Sequence, residues 1–235
     1  MEKGIKRYKV TFKIYYNERL KKSFFHTKLM HPLYVQVTFD RRPIYFKSYY
    51  FDLFSKPKYA IRLEGQVFTP DIKEIIKKEE TIIAFIIDKN LDNFSLDLFK
   101  KEYAFYSRDL LDMMEESFLN YLFTFLQDEG LPRLADILKK GASDSKLYDL
   151  AQDLKKALNP VLYQNLIENS FHLPPPYLPL FAFTVKPKQT PFTSFSVMEW
   201  QQTQTKEKFL KFCKKYYPDN DISEVVKKIE KWVNK

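Results

Sequence analysis

Two stretches near the N-terminus alternate apolar and polar residues with the period of a half-buried strand. In residues 8–16, Val10, Phe12 and Ile14 share one side while Lys9, Thr11 and Lys13 share the other. In residues 33–39 the apolar side is Leu33, Val35, Val37 and Phe39. A short connection, Asp40-Arg41-Arg42, leads into a further extended stretch over 43–51. The lengths and flanks predict a hairpin, although the connection lacks the Asn-Gly or Asp-Gly pair usual at such turns.

Beyond residue 62 the spacing becomes helical. Thr69 as cap, Pro70 at the first helical position and acidic residues in the first turn predict a helix over 69–80. The apolar run over 81–88 fits either a buried strand or an extension of that helix, and period alone does not separate the two. Further helices are expected from Ser95, over 108–127 before Gly130, over 132–140 before Gly141, over 143–158 and over 160–169. The stripe Leu110, Met113, Met114, Phe118 and Tyr121 faces a core. Prolines then favour extended chain over 172–198, with a strand at 180–185, before two closing helices at 206–217 and 222–233. The pattern predicts an α+β protein. An N-terminal antiparallel sheet module occupies 1–62, and a mostly helical domain with a Pro-rich excursion at 172–198 occupies 63–235.

Composition narrows the classes. At 45% hydrophobic and 17% aromatic, the chain can bury a substantial core. No apolar run approaches the roughly 18 residues of a spanning helix, and the first residues lack the apolar stretch of a secretory signal. A cytoplasmic protein without a membrane partner is expected. Four glycines, none clustered, exclude a glycine-rich phosphate loop, and the single Cys213 excludes an internal disulfide or a cysteine-based zinc site.

Charge is distributed unevenly. Residues 1–62 hold 15 Lys/Arg against four Asp/Glu, a balance of +11; the remainder holds 24 against 26, a balance of −2. The excess lies on predicted strands rather than on an amphipathic helix, which favours a nucleic-acid partner over a membrane surface. If Val35, Val37, Ile44 and Phe46 face the core, the opposite side shows Tyr34, Gln36, Thr38, Tyr45 and Lys47, joined by Lys9 and Lys13. Cations there can meet phosphates, and hydroxyls and amides can meet base edges. Arg41 and Arg42 at the hairpin tip, with Arg19, Lys21 and Lys22 in the preceding loop, complete the candidate surface. The competing arrangement is a second layer that buries the tyrosines and leaves the lysines snorkelling outward.

The segment His31-Pro-Leu-Tyr-Val-Gln-Val-Thr-Phe-Asp-Arg-Arg-Pro-Ile-Tyr-Phe-Lys-Ser resembles the arm-type DNA-binding module of Bacteroidetes tyrosine recombinases, the phage and transposon integrases. The resemblance covers about the first 55 residues. Gln36 stands at a usually basic position, and Arg41-Arg42 replaces an Asn-Gly-type turn. It implies a small sheet that binds DNA through residues 34–47, and a link to a mobile element. The recombinase half is not matched, because none of His26, His31 and His172 begins a His-x-x-Arg box.

Other chemistry has little to stand on. Asp109, Asp112 and Glu116, or Asp149 and Asp153, have the helical spacing of paired carboxylates for a metal-dependent phosphoryl transfer. Without a supporting histidine or phosphate loop, a solvated acidic face is the expectation. No catalytic residue, metal ligand or cofactor is nominated. The sequence points to a non-enzymatic duplex-DNA-binding protein, an accessory or regulatory component of a mobile element. The alternative is a scaffold that docks a protein partner on the Tyr-rich sheet face and the Pro-rich segment.

Overall fold

A computed structural model describes residues 9–63, 66–185 and 192–235. The fold is α+β: an N-terminal antiparallel sheet is followed by a mostly helical region. Contacts group the chain into two units. Of the described residues, one unit takes those up to 56 and those from 60 to 107; the other takes 57–59 and those from 108 onward. The first unit therefore holds not only the sheet but two helices beyond residue 62, so the grouping does not follow the charge boundary.

In the first unit, β1 (Thr11–Tyr16), β4 (Leu33–Phe39) and β5 (Arg42–Lys47) form an antiparallel sheet in the order β1-β4-β5. Between β1 and β4 the chain makes a second hairpin, β2 (Ser23–Phe25) with β3 (Lys28–Met30), which the periodicity did not reveal. The β4–β5 loop is only Asp40-Arg41, since Phe39 pairs with Arg42. Both loop residues have left-handed backbone, φ 48° and 63°. That is the type I′ signature, whose twist matches the flanking strands and which glycine or asparagine normally fills. A third hairpin joins β6 (Ile61–Leu63) and β7 (Gln66–Phe68).

The predicted strand over 43–51 is cut short. Ser48 accepts a hydrogen bond from the Phe51 N–H and starts α1 (Tyr49–Phe54). The run over 81–88 extends a single helix, α2 (Ile72–Lys89), and the side-chain cap is Asp71 rather than Thr69. α3 (Leu96–Tyr106) begins after Ser95 as expected. Ile75, Ile82, Ile83 and Ile86 of α2 and Phe99 of α3 are buried, as are Val35 and Val37 of β4. Phe46 of β5 packs on Phe99 and Tyr103, so the helices cover one side of the sheet.

One carboxylate ties these elements together. Glu79 of α2 is fully buried and accepts hydrogen bonds from Ser48 Oγ (2.6 Å), the Tyr50 N–H (3.0 Å) and Tyr103 Oη (2.7 Å). It thereby satisfies the first turn of α1 from a neighbouring helix. Burial raises its pKa, and the hydrogen bonds from Ser48, Tyr103 and the α1 backbone oppose the rise.

The second unit contains α4 (Leu110–Asp128), α5 (Pro132–Gly141), α6 (Leu147–Ala157), α7 (Pro160–His172), α8 (Tyr177–Val185), α9 (Val197–Gln201), α10 (Thr203–Tyr216) and α11 (Ile222–Val233). Gly130 takes φ 77° just past α4, the left-handed stop that glycine supplies without a Cβ clash. The strand expected at 180–185 is the end of helix α8. An almost wholly apolar segment buried on all sides carries no period from which a strand could be told from a helix. Pro174, Pro175 and Pro176 are buried, so this part of the Pro-rich segment offers no docking surface. The prolines at 187 and 191 lie outside the described residues.

Candidate nucleic-acid interface

The strand register assembles the candidate residues into rows. Side chains directly opposite each other on neighbouring strands share a face. Lys13, Gln36 and Tyr45 are cross-strand partners and form the middle row of the side turned away from the helices. Tyr15, Tyr34 and Lys47 form the row toward one end, and Thr11, Thr38 and Pro43 the row toward the other. Among the described residues no second layer covers this face. Tyr45 is 57% exposed, Lys13 and Lys47 are exposed, and Tyr34, Gln36 and Thr38 on the central strand remain half-buried. On the opposite side of the same strand Leu33, Val35 and Val37 are fully buried. Two-residue alternation therefore separates an apolar side from an open side of hydroxyls, an amide and cations.

Local contacts refine the roles. Gln36 donates a 3.2 Å hydrogen bond to Thr38 Oγ1. The Lys13 ammonium lies 5.0 Å from the centre of the Tyr15 ring, a cation–π placement that holds it at the surface. Lys47 is paired with Asp52 at 2.5 Å, so part of its charge is already neutralised.

The remaining cations divide by position. Arg41 is the tip of the β4–β5 hairpin. Arg42 is not part of the tip: it is the first residue of β5, and alternation places it on the side of Ile44 and Phe46. A two-residue turn leaves only one arginine projecting beyond the strands. Lys9 is exposed just before β1, at the same end of the sheet as Arg41. Arg19, Lys21 and Lys22 are exposed in the loop that leaves β1 at the opposite end. With seven residues in β4, these two basic ends stand roughly 20 Å apart. They bracket the open face at its two ends.

Part of the acidic set gathers around two buried cations: Lys58 pairs with Asp112 and Glu115, and Lys146, at the start of α6, interacts with Asp149, Lys58 and Glu115. Asp109 is fully buried as the cap of α4 and accepts hydrogen bonds from the Asp112 and Phe195 N–H groups. Burial pulls the Lys58 ammonium down in pKa, but Glu115 and Asp112 more than offset it, and the net shift is upward. Glu116 and Asp153 point to solvent. Among the described residues no three His, Cys, Asp or Glu side chains are arranged to hold a metal.

A cleft of 490 Å³ in the second unit is lined by Tyr148, Tyr163, Tyr217 and Phe171 together with Gln152 and Lys155. Burial raises the pKa of all three tyrosines, keeping their hydroxyls protonated near neutrality, and no carboxylate, histidine or cysteine lines the cleft. Cys213 is buried on α10, and burial pushes its thiol up to about 12. That argues against a nucleophile. No helix among the described residues is long and apolar enough to cross a membrane. Comparison of the chain with protein-family models, with curated proteins and with solved structures returned no match.

Proposed function

We propose that this chain binds duplex DNA through the outward face of the β1–β4–β5 sheet, as an accessory or regulatory protein of a mobile element. The observation that supports the reading is the uncovered face itself. A half-buried central strand of Tyr34, Gln36 and Thr38 is flanked by exposed Lys13 and Tyr45 and lies between basic ends. A major groove admits a two-stranded β-ribbon such as β4–β5, and there amides and hydroxyls read base edges while cations meet phosphates. The turn adds a second argument. Arg41 occupies a left-handed position that glycine adopts without strain, so the turn holds an exposed cation at its tip at a local cost. The tie to a mobile element rests on the resemblance of residues 31–48 to the integrase arm-type module.

The middle row provides the test. Lys13→Ala should weaken binding to every duplex and flatten the dependence of log K on log salt by about 0.9. Gln36→Ala and Tyr45→Ala should leave the salt slope alone and reduce discrimination between duplex sequences. Unchanged binding in all three variants would remove the sheet face from the interface.

A further inference from the structure

The β2–β3 hairpin carries an exposed apolar pair that the fold does not need. Phe24 and Leu29 face each other across the hairpin and are 71% and 56% exposed. Their neighbours hold the hairpin in place. Phe25, on its other side, is buried and stacks on Phe51 of α1 at 5.2 Å. The His26 ring donates from Nε2 to the Phe54 carbonyl at 2.7 Å. At the base the Asn17 N–H donates to the Pro32 carbonyl, and His31 Nδ1 lies 2.9 Å from the Leu20 carbonyl. Two large apolar side chains are thus presented by a clamped hairpin rather than by a loose loop. The charge carried by the hairpin and its flanking segments is cationic: no acidic residue lies between Glu18 and Asp40, while Arg19, Lys21, Lys22 and Lys28 all do. Side chains of this kind on an electropositive hairpin suit a polyanion with an apolar interior, which describes stacked base pairs beneath a phosphate backbone.

We infer that Phe24 and Leu29 form a wedge that enters a base-pair step of the bound duplex and kinks it. The inference rests on the duplex-binding reading above, and extends it from groove contact to deformation. Apolar wedges of this kind unstack one step and bend the duplex by roughly 20–90°. Arg19, Lys21, Lys22 and Lys28 then hold the phosphates on either side of the opened step. Steps that unstack readily, such as TA and CA, are the preferred sites.

The experiment uses the full chain and a duplex carrying a donor–acceptor pair at its ends and 2-aminopurine at a central TA step. The expected result is a shortened end-to-end distance and a rise in 2-aminopurine emission on binding. Both signals should be lost in Phe24→Ala/Leu29→Ala, while the salt slope stays the same and affinity falls a few-fold. Because both residues are exposed, the variant's thermal midpoint should match the parent's. Binding by the parent without bending or unstacking, or equal bending by the variant, overturns the wedge and leaves the sheet interface standing. No duplex binding at low salt overturns both. In that case, sedimentation with phosphatidylserine vesicles that is lost in the variant would reassign the hairpin to an anionic membrane surface.

Discussion

Arg41→Gly separates the cost of the β4–β5 turn from its use. Arg41 sits at φ 63°, a region that costs an L-residue about 1–2 kcal/mol. Glycine removes that strain but loses about 0.5–1 kcal/mol through the greater freedom of the unfolded chain. The net expectation is a gain of about 0.5–1 kcal/mol, or an upward shift of roughly 1–4 °C for a chain of this size. The same change deletes one exposed cation, so the salt slope of duplex binding should fall by about 0.9. Arg41→Ala is the partner variant. It removes the charge but keeps a Cβ in the left-handed region, so it should reproduce the slope change without the stabilisation. Thermal unfolding and fluorescence anisotropy across a salt series on the same three proteins supply both readouts. A glycine variant no more stable than the alanine variant would refute the strain argument. An unchanged slope in both would show that the tip does not meet phosphate.

Other consequences follow from the interior. Arg42→Ala should alter the salt slope less than Arg41→Ala, because Arg42 lies on the helix side of β5; equal slopes would contradict the register. Glu79 has a raised pKa when folded, so the folded state binds its proton more tightly than the unfolded chain does. Its stabilisation is full below the ordinary glutamate value of 4.5 and is lost as pH rises through the raised folded value. The stability difference between the parent and Glu79→Gln should therefore move in the variant's favour from pH 4.5 toward neutrality, read by urea unfolding at several pH values; a flat difference contradicts this. Lys58→Met leaves Asp112 and Glu115 without their buried cation and should cost about 3–5 kcal/mol, with partial recovery on adding Asp112→Asn and Glu115→Gln. Cys213 should resist a thiol reagent at pH 8 in the native protein and react promptly in guanidinium.

The parts of the fold that were legible are those with one clean period. β4 and α11 coincide with residues 33–39 and 222–233 because alternation and helical spacing there are uninterrupted. Where tertiary contacts decide, local pattern did not suffice. Tyr49, Tyr50 and Phe51 continue an aromatic run that suits a strand, yet Ser48 and the carboxylate of Glu79, 31 residues away in sequence from Ser48, turn them into a helix. The apolar segments at 81–88 and 180–185 are buried on too many sides to show a period, and both are helical.

The candidate face was readable for the same reason as β4, since alternation alone assigns Tyr34, Gln36 and Thr38 to one side. Whether another layer covered that side depends on long-range packing and was not readable. Sequence shows only a basic pair at Arg41 and Arg42, whereas the two-residue turn consists of Asp40 and Arg41, so Arg42 stands in β5 rather than at the hairpin tip. The β2–β3 hairpin leaves no strand pattern in the sequence, because three-residue strands are too short for alternation to register. The stretch without acidic residues from 19 to 39 was the available signal.

The most direct measurement is the affinity of the full chain for duplex DNA of random sequence, by fluorescence anisotropy from low to physiological salt, with single-stranded DNA and RNA alongside. The account predicts micromolar or tighter duplex binding with a steep negative salt slope, and weaker binding to the single strands. No binding at low salt, or binding that salt leaves unchanged, would mean that the basic ends of the sheet are solvated charge and that the open face serves another partner.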